Sequence, residues 1–219
     1  MWRLFHKELA LGSSLCLEQK DKDMGDQYIE QFMRALEKTK ICTEHEELDY
    51  ETGIQVLVEH FSRHKKTDTQ IFFIGNGGSS AIASHMTADF MKNGGMKTYS
   101  LYDNAVTTCM GNDYGYEYVF SRPLEFLGRE DDLLVAVSSS GNSKNIINAV
   151  HAAMVKNMEI ITLTGFKKEN QLKQLGMVNV YVPSEKYGIV ESIHNLILQQ
   201  IVDTIMERDG VWLDDLSIL

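Results

Sequence analysis

The chain has 219 residues, 43% of them hydrophobic, with 21 Lys and Arg against 31 Asp and Glu for a formal net charge of −10. This composition excludes wholesale disorder and collagen-like repeats, and the length allows one large domain or two small ones, a single-core α/β domain being the simpler. The acidic balance excludes a general nucleic-acid binder, which needs a Lys/Arg field for counterion release, but not a phosphate held by backbone N–H groups at a helix N-terminus.

Residues 1–11 are mildly apolar, but charges interrupt them before a signal-peptide core forms. No run approaches the ~18 apolar residues of a membrane span. The three cysteines, Cys16, Cys42 and Cys109, stand far apart with no C-x-x-C pair. They indicate neither a disulfide framework nor a zinc knuckle, so a soluble protein of the reducing cytoplasm, without a membrane partner, is expected. Over residues 19–66, Tyr28, Phe32, Leu36, Ile54, Leu57, Val58 and Phe61 recur at helical spacing and predict two amphipathic helices. The acidic stretch 43–49 between them reads as a loop or solvated helix start, since its charges follow no ligand spacing.

From Thr69 the pattern changes. Residues 70–74 form a short continuous apolar run, as expected of a strand buried on both faces. Residues 132–137 and 159–163 share that character, 177–182 more weakly, and each run leads through polar residues into a helical pattern. Residues 99–102 are a further candidate strand. Strands alternating with helices predict a mostly parallel sheet of about five strands in a three-layer α/β/α arrangement. A last amphipathic helix is expected over 188–208, with Ile189, Ile193, Leu196, Ile197, Ile201 and Ile205 on its apolar side. The expected division is an N-terminal extension and helices over 1–66, a core over 67–210 and a tail over 211–219.

Two polar loops carry the chemical signal. Gly75-Asn76-Gly77-Gly78-Ser79-Ser80 follows the strand ending at Ile74 and precedes a helix expected from Ala81. Its paired glycines let backbone approach a ligand and take positive φ, and its serines can cap the helix or face an anion. Ser138-Ser139-Ser140-Gly141-Asn142-Ser143 follows the strand ending at Val137 and places four hydroxyls at another helix N-terminus. The first loop lacks both the Lys-Ser/Thr of a Walker loop and the G-x-G-x-x-G spacing of a dinucleotide fold. Either loop alone is compatible with a structural turn. Two of them at the carboxyl ends of parallel strands are more specific, because ligands of open α/β sheets bind at that edge.

In this order the residues resemble the SIS (sugar isomerase) family, and within it the phosphoheptose isomerase group that also includes DnaA-associating SIS proteins. The resemblance runs from about residue 70 to 205. Besides the two loops, it rests on His85, on Gly111-Asn112-Asp113-Tyr114-Gly115, on Glu191-Ser192-Ile193-His194 and on the strand-like segment 161–165. It implies a single SIS domain binding a sugar phosphate, with Ser79, Ser138, Ser140 and Ser143 on the phosphate and Asn76 and Asp113 near the sugar. Gly77, Gly78, Ser139 and Asn112 would complete those segments. It also implies a homotetramer with sites at subunit contacts and N-terminal helices as packing. The first ~20 residues exceed the family's length and have no functional account.

Aldose–ketose isomerisation moves a proton between adjacent carbons through an enediol and needs a base and an acid beside the reacting oxygens. The resemblance assigns the first catalytic position to Asp89, at i+4 from His85 and one methylene shorter than the family's glutamate. A displacement of ~1 Å there can cost ~100-fold. The family's last-helix histidine falls on Gln199, which cannot transfer a proton near neutral pH. Its usual glutamine becomes Glu191, a candidate replacement carboxylate. His194 belongs to a family motif and is expected to position the pocket. Some relatives hold a metal at the positions of His85, Asp89, Glu191 and Gln199, so a divalent ion such as zinc is an alternative to ordinary polar pocket residues. No cofactor is otherwise required. His6, His45, His60, His64 and His151 follow no ligand spacing and read as surface or packing residues. Tyr114, Tyr116, Tyr118 and Phe120 could stack on a sugar or pack a helix start. The tail around Trp212, Leu213, Asp214 and Asp215 reads as a subunit contact or a loose end.

The resemblance implies an isomerase, converting sedoheptulose 7-phosphate to a glycero-manno-heptose 7-phosphate for surface polysaccharide. The alternatives are a non-catalytic sugar-phosphate sensor or scaffold that tethers a protein partner such as a replication initiator, which the Gln199 departure favours, and an isomerase of a different sugar phosphate.

Overall fold

The computed structural model describes residues 25–211. The N-terminal extension with His6 and Cys16, and the tail residues Trp212 to Asp215, lie outside the described residues. The chain divides into a unit ending at Glu37 and a unit beginning at Lys38. The described part of the first unit is a helix, α1 (residues 25–37).

The second unit is built on a seven-stranded sheet of order β2-β1-β7-β6-β5-β3-β4. Five strands are mutually parallel, as expected: β3 (Gln70–Gly75), β4 (Lys97–Ser100), β5 (Leu133–Ser138), β6 (Glu159–Thr164) and β7 (Val178–Tyr181). The other two, β1 (Lys40–Thr43) and β2 (Glu47–Leu48), correct the expected count and occupy the segment read as helix end and acidic loop. Lys40–Thr43 is too short to show a period of its own. It becomes a strand because it pairs antiparallel with the edge of β7, burying Ile41 completely. Gly53 lets the next helix approach it, since a Cβ there would lie 2.6 Å from the Ile41 Cβ.

That helix, α2 (Tyr50–Thr67), is capped by Asp49, whose carboxylate accepts the Thr52 N–H at 3.0 Å. α2, α3 (Gly78–Lys92) and α7 (Tyr187–Asp209) cover one face of the sheet. There Phe73 of β3 packs with Phe61 of α2 and Phe90 of α3, ring centroids 5.4 and 4.5 Å apart along the Phe73–Phe90–Phe61 chain. On the other face lie α5 (Ser121–Leu127) and α6 (Lys144–Val155), where Phe72, Ile74, Leu134 and Ala136 pack against Leu124, Ile146, Ala149 and Val150. Alternate residues of β3 and β5 thus feed two opposite cores, which explains their continuous apolar runs. The segment from Asn104 to Leu127 holds α4 (Asn104–Tyr114), a 3₁₀ turn at Tyr116–Tyr118, and α5. At the amino edge of the sheet, His60, Arg63 and the buried His64 of α2 converge on the Glu159 carboxylate and tie α2 to the start of β6. No helix among the described residues is long and apolar enough to cross a membrane.

Candidate functional site

The chain passes from β3 to β4 on one side of the sheet, while β5 pairs with β3 on the other. The carboxyl ends of β3 and β5 therefore flank the topological switch point, where α/β sheets bind ligands. Gly75 and Val137 are register partners, so the two polar loops start side by side. In the first, Gly77 has φ +55° and ψ −123°, a conformation suited to glycine, and α3 starts at Gly78 rather than near Ala81. No side chain caps α3; the Ser80 N–H bonds the Gly77 carbonyl at 3.0 Å, which leaves the Gly78 and Ser79 N–H groups for a ligand. In the second loop Gly141 has φ +62° and its N–H bonds the Ser138 carbonyl at 3.0 Å. Ser143 occupies the N-cap of α6 without making a side-chain cap bond, so its hydroxyl also stays available.

Between the loops lies a cavity of about 420 Å³ lined by Asn76, Gly77, Gly78, Ser79, Ser138, Ser139, Ser140, Ser143, Tyr187 and Glu191. Ser139 is 4% exposed, and its buried hydroxyl has no protein partner. A buried hydroxyl without a partner carries a desolvation penalty that a ligand oxygen would relieve. The predicted loop residues, Asn76 to Ser79 with Ser138, Ser139, Ser140 and Ser143, thus form one concave, uncharged, donor-rich wall. Glu191 is the single carboxylate among the described residues that line the cavity. It stands over the first turn of α3, so close that a Cβ on Gly78 would be 2.3 Å from its Oε2. Burial pushes the Glu191 carboxyl above the usual carboxylate range.

The remaining candidates take other places. Gln199 Nε2 donates to Asp89 Oδ2 at 2.6 Å, and His85 Nε2 lies 3.2 Å from the same oxygen. These three meet at the seam of α3 and α7, outside the cavity lining. Glu191 is eight residues earlier on α7, roughly two turns, and lies against Gly78. Among the described residues no three His, Cys, Asp or Glu side chains are arranged to hold a metal ion.

His194 is fully buried, with Nε2 3.0 Å from the Thr164 carbonyl. A carbonyl only accepts, so Nε2 carries the proton and Nδ1 presents a lone pair without a partner. Burial pushes its pKa down to about 4, which keeps the ring neutral near pH 7. Asn112 and Asp113 lie on exposed turns of α4, where Asn112 Nδ2 donates to Asp113 Oδ1 at 2.8 Å and Cys109 lies 3.5 Å from the other oxygen. They do not line the cavity of this chain.

Three residues that position the site escaped the sequence reading. Tyr102 accepts the Gly75 N–H at 2.5 Å and donates to the Gly75 carbonyl at 2.9 Å. β4 ends two residues before Tyr102 (its last rung pairs Phe73 with Ser100), so the phenol replaces the next rung and secures the base of the first loop. Burial holds that phenol un-ionised. Asn145 of α6 exchanges hydrogen bonds with Asn76 across the two loops. Tyr187, at the start of α7, closes the cavity rim beside Phe166, with ring centroids 4.7 Å apart. Only the position of Asn145, two residues beyond Ser143, offered a sequence signal. A helix that starts at a ligand loop often keeps its first polar side chains for that loop.

Comparison with known proteins adds three findings. Residues 27–165 match the SIS domain family. A phosphoheptose isomerase of Edwardsiella ictaluri (strain 93-146) is 36% identical over 154 residues, 68% of this chain and 78% of that one. That of Sulfurimonas denitrificans is 35% identical over 193 residues, covering 83% and 96%. Among solved structures, a phosphoheptose isomerase from Neisseria gonorrhoeae is similar with a TM-score of 0.71 and 31% identity, over 87% of this chain and 99% of that chain. One from Francisella tularensis gives 0.72 and 26%, over 85% and 97%.

Proposed function

The chain belongs to the SIS-domain family, and from that premise we propose that it is a phosphosugar isomerase interconverting sedoheptulose 7-phosphate and a glycero-manno-heptose 7-phosphate. The observation that carries the proposal is the pairing, in one cavity, of two serine-and-glycine loops at helix N-termini with a single carboxylate, Glu191. Relatives at this identity named phosphoheptose isomerase support the choice of sugar.

In the proposed reaction the phosphate is held by Ser79, Ser138, Ser140 and Ser143, by the unpaired Ser139 hydroxyl and by the N-terminal amides of α3 and α6, which supply positive partial charge without cationic side chains. That anchoring fixes the open-chain sugar. Glu191, ionised, takes the C1 proton of the ketose and leaves an enediolate with its charge on O2, to which the O1 hydroxyl proton passes. The carboxylic acid then returns its proton to C2 as the charge left on O1 collapses to the aldehyde. A carboxyl with a raised pKa suits both halves, since a base poised nearer the working pH also serves as the acid. Asp89, bonded to Gln199 and His85, is assigned to bracing α3 against α7.

The same reading extends to a homotetramer in the cytoplasm that supplies a heptose for surface polysaccharide. The test is incubation of the protein with sedoheptulose 7-phosphate, followed by NMR, beside a Ser138→Ala/Ser140→Ala variant. Appearance of the aldose with the wild-type protein, lost in the variant, supports the proposal. Tight binding without turnover would assign a sugar-phosphate sensor instead.

A further inference from the structure

The two phosphate loops are not independent. Asn76 Nδ2 donates to Asn145 Oδ1 at 2.8 Å, and Asn145 Nδ2 donates to Asn76 Oδ1 at 2.9 Å. Two further bonds fix which end of each amide faces which. The Ile146 N–H donates to Asn145 Oδ1 at 3.0 Å, so that atom must be the oxygen. Its NH₂ then faces Asn76, which makes the facing atom of Asn76 its oxygen, and the Tyr116 hydroxyl donates to that oxygen as well, at 3.1 Å. Asn145 is 3% exposed and lines no part of the cavity, whereas Asn76 does. With Oδ1 of Asn76 occupied twice and one N–H engaged, the remaining N–H is the free polar group of its side chain.

We propose that Asn145 is a positioning residue for the sugar-phosphate site: it links the β3 and β5 loops and orients Asn76 so that the cavity meets an N–H donor and never the amide oxygen. The inference rests on the phosphate-site reading above and adds to it a polarity. An oxygen acceptor, such as a phosphate or carbonyl oxygen, is matched at Asn76, and a hydroxyl needing an acceptor is not. The reciprocal pair also couples the two halves of the cradle, because displacing either loop breaks the two bonds between Asn76 and Asn145.

The experiment is a double-mutant cycle on phosphate affinity, with inorganic phosphate as the probe and calorimetry as the readout. Asn76→Ala and Asn145→Ala are each expected to weaken binding about three- to tenfold, the range for one net hydrogen bond. The double variant is expected to match the weaker single variant rather than the product of the two, since both changes remove the same unit. Tyr116→Phe, which removes only the rim hydroxyl, is expected to have a smaller effect. Asn145→Ser serves if the alanine variant fails to fold, because it keeps a polar group in the first turn of α6 but cannot span both atoms of the Asn76 amide. A purely structural role would lower the melting temperature and leave phosphate affinity unchanged. That result, or a double variant weakened by the full product, overturns the inference. Failure of the wild-type protein to bind phosphate overturns the phosphate-site reading, and the inference with it.

Discussion

Replacing Glu191 with Gln keeps the shape of the side chain over Gly78 and removes its ability to carry a proton. It is the one carboxylate among the described residues lining the cavity, so no neighbour inside the cavity can take over. Positioned general acid–base groups contribute about 10²–10⁴-fold, which at 1.36 kcal/mol per decade is roughly 3–5 kcal/mol of barrier. The expected result is a kcat reduced at least ~100-fold, measured by NMR at saturating sedoheptulose 7-phosphate. Phosphate affinity should hold or improve, because a negative charge leaves an anion site. Asp89→Asn, changed at the α3–α7 seam, should lose less than about tenfold. The pH dependence has a fixed sign. Burial raises the folded-state pKa of Glu191 above its ordinary 4.5, so kcat/KM of the wild-type enzyme should fall as pH drops through a value above the usual carboxylate range. For stability, the folded state binds the extra proton between the two pKa values, so stability declines as pH rises from about 4.5 through the raised value. The Glu191→Gln substitution should therefore be neutral to thermal stability below that window and stabilising above it. Turnover by Glu191→Gln within about threefold of wild type would refute the assignment of proton transfer to this residue.

Gly78→Ala places a methyl 2.3 Å from Glu191 Oε2, and the atom that must move is the end of a flexible side chain rather than backbone. The fold should survive, with phosphate binding retained and kcat lowered by more than about tenfold, as read in the same NMR assay. Tyr102→Phe keeps the edge-on packing against Phe120 but strips both bonds from Gly75. With two partly buried backbone groups left unpaired, the loss should be about 2–4 kcal/mol, a fall in melting temperature of roughly 5–12 °C by calorimetry, with weaker phosphate binding.

The parallel core was legible because its strands are buried on both faces. Runs such as Ile71 to Ile74 and Leu133 to Val137 carry no polar interruption, and each ends at a ligand loop. β1 and β2 were not legible, since four and two residues hold no period and Ile41 is buried only by what surrounds it. The two polar loops that line the cavity were legible from glycine and serine in the right places after two strands. The catalytic assignment was less so. The family resemblance grouped His85, Asp89, Glu191 and Gln199, but resemblance says nothing about which way a side chain turns between two packed helices.

What the sequence by itself determined was therefore the local chemistry: strand, donor-rich loop and helix start, repeated twice, on an acidic chain with no need of cationic side chains to hold an anion. The tertiary structure alone decided which of the four side chains lines the cavity between the loops. Strand order brings Gly75 beside Val137 and packs the start of α7 over the start of α3, so Glu191 enters the cavity while Asp89 is turned to Gln199. It also decided that Tyr102 and Asn145 hold the loops. Their hydrogen bonds run between residues 27 and 69 positions apart, and partners so distant are set by chain topology, not by any local pattern.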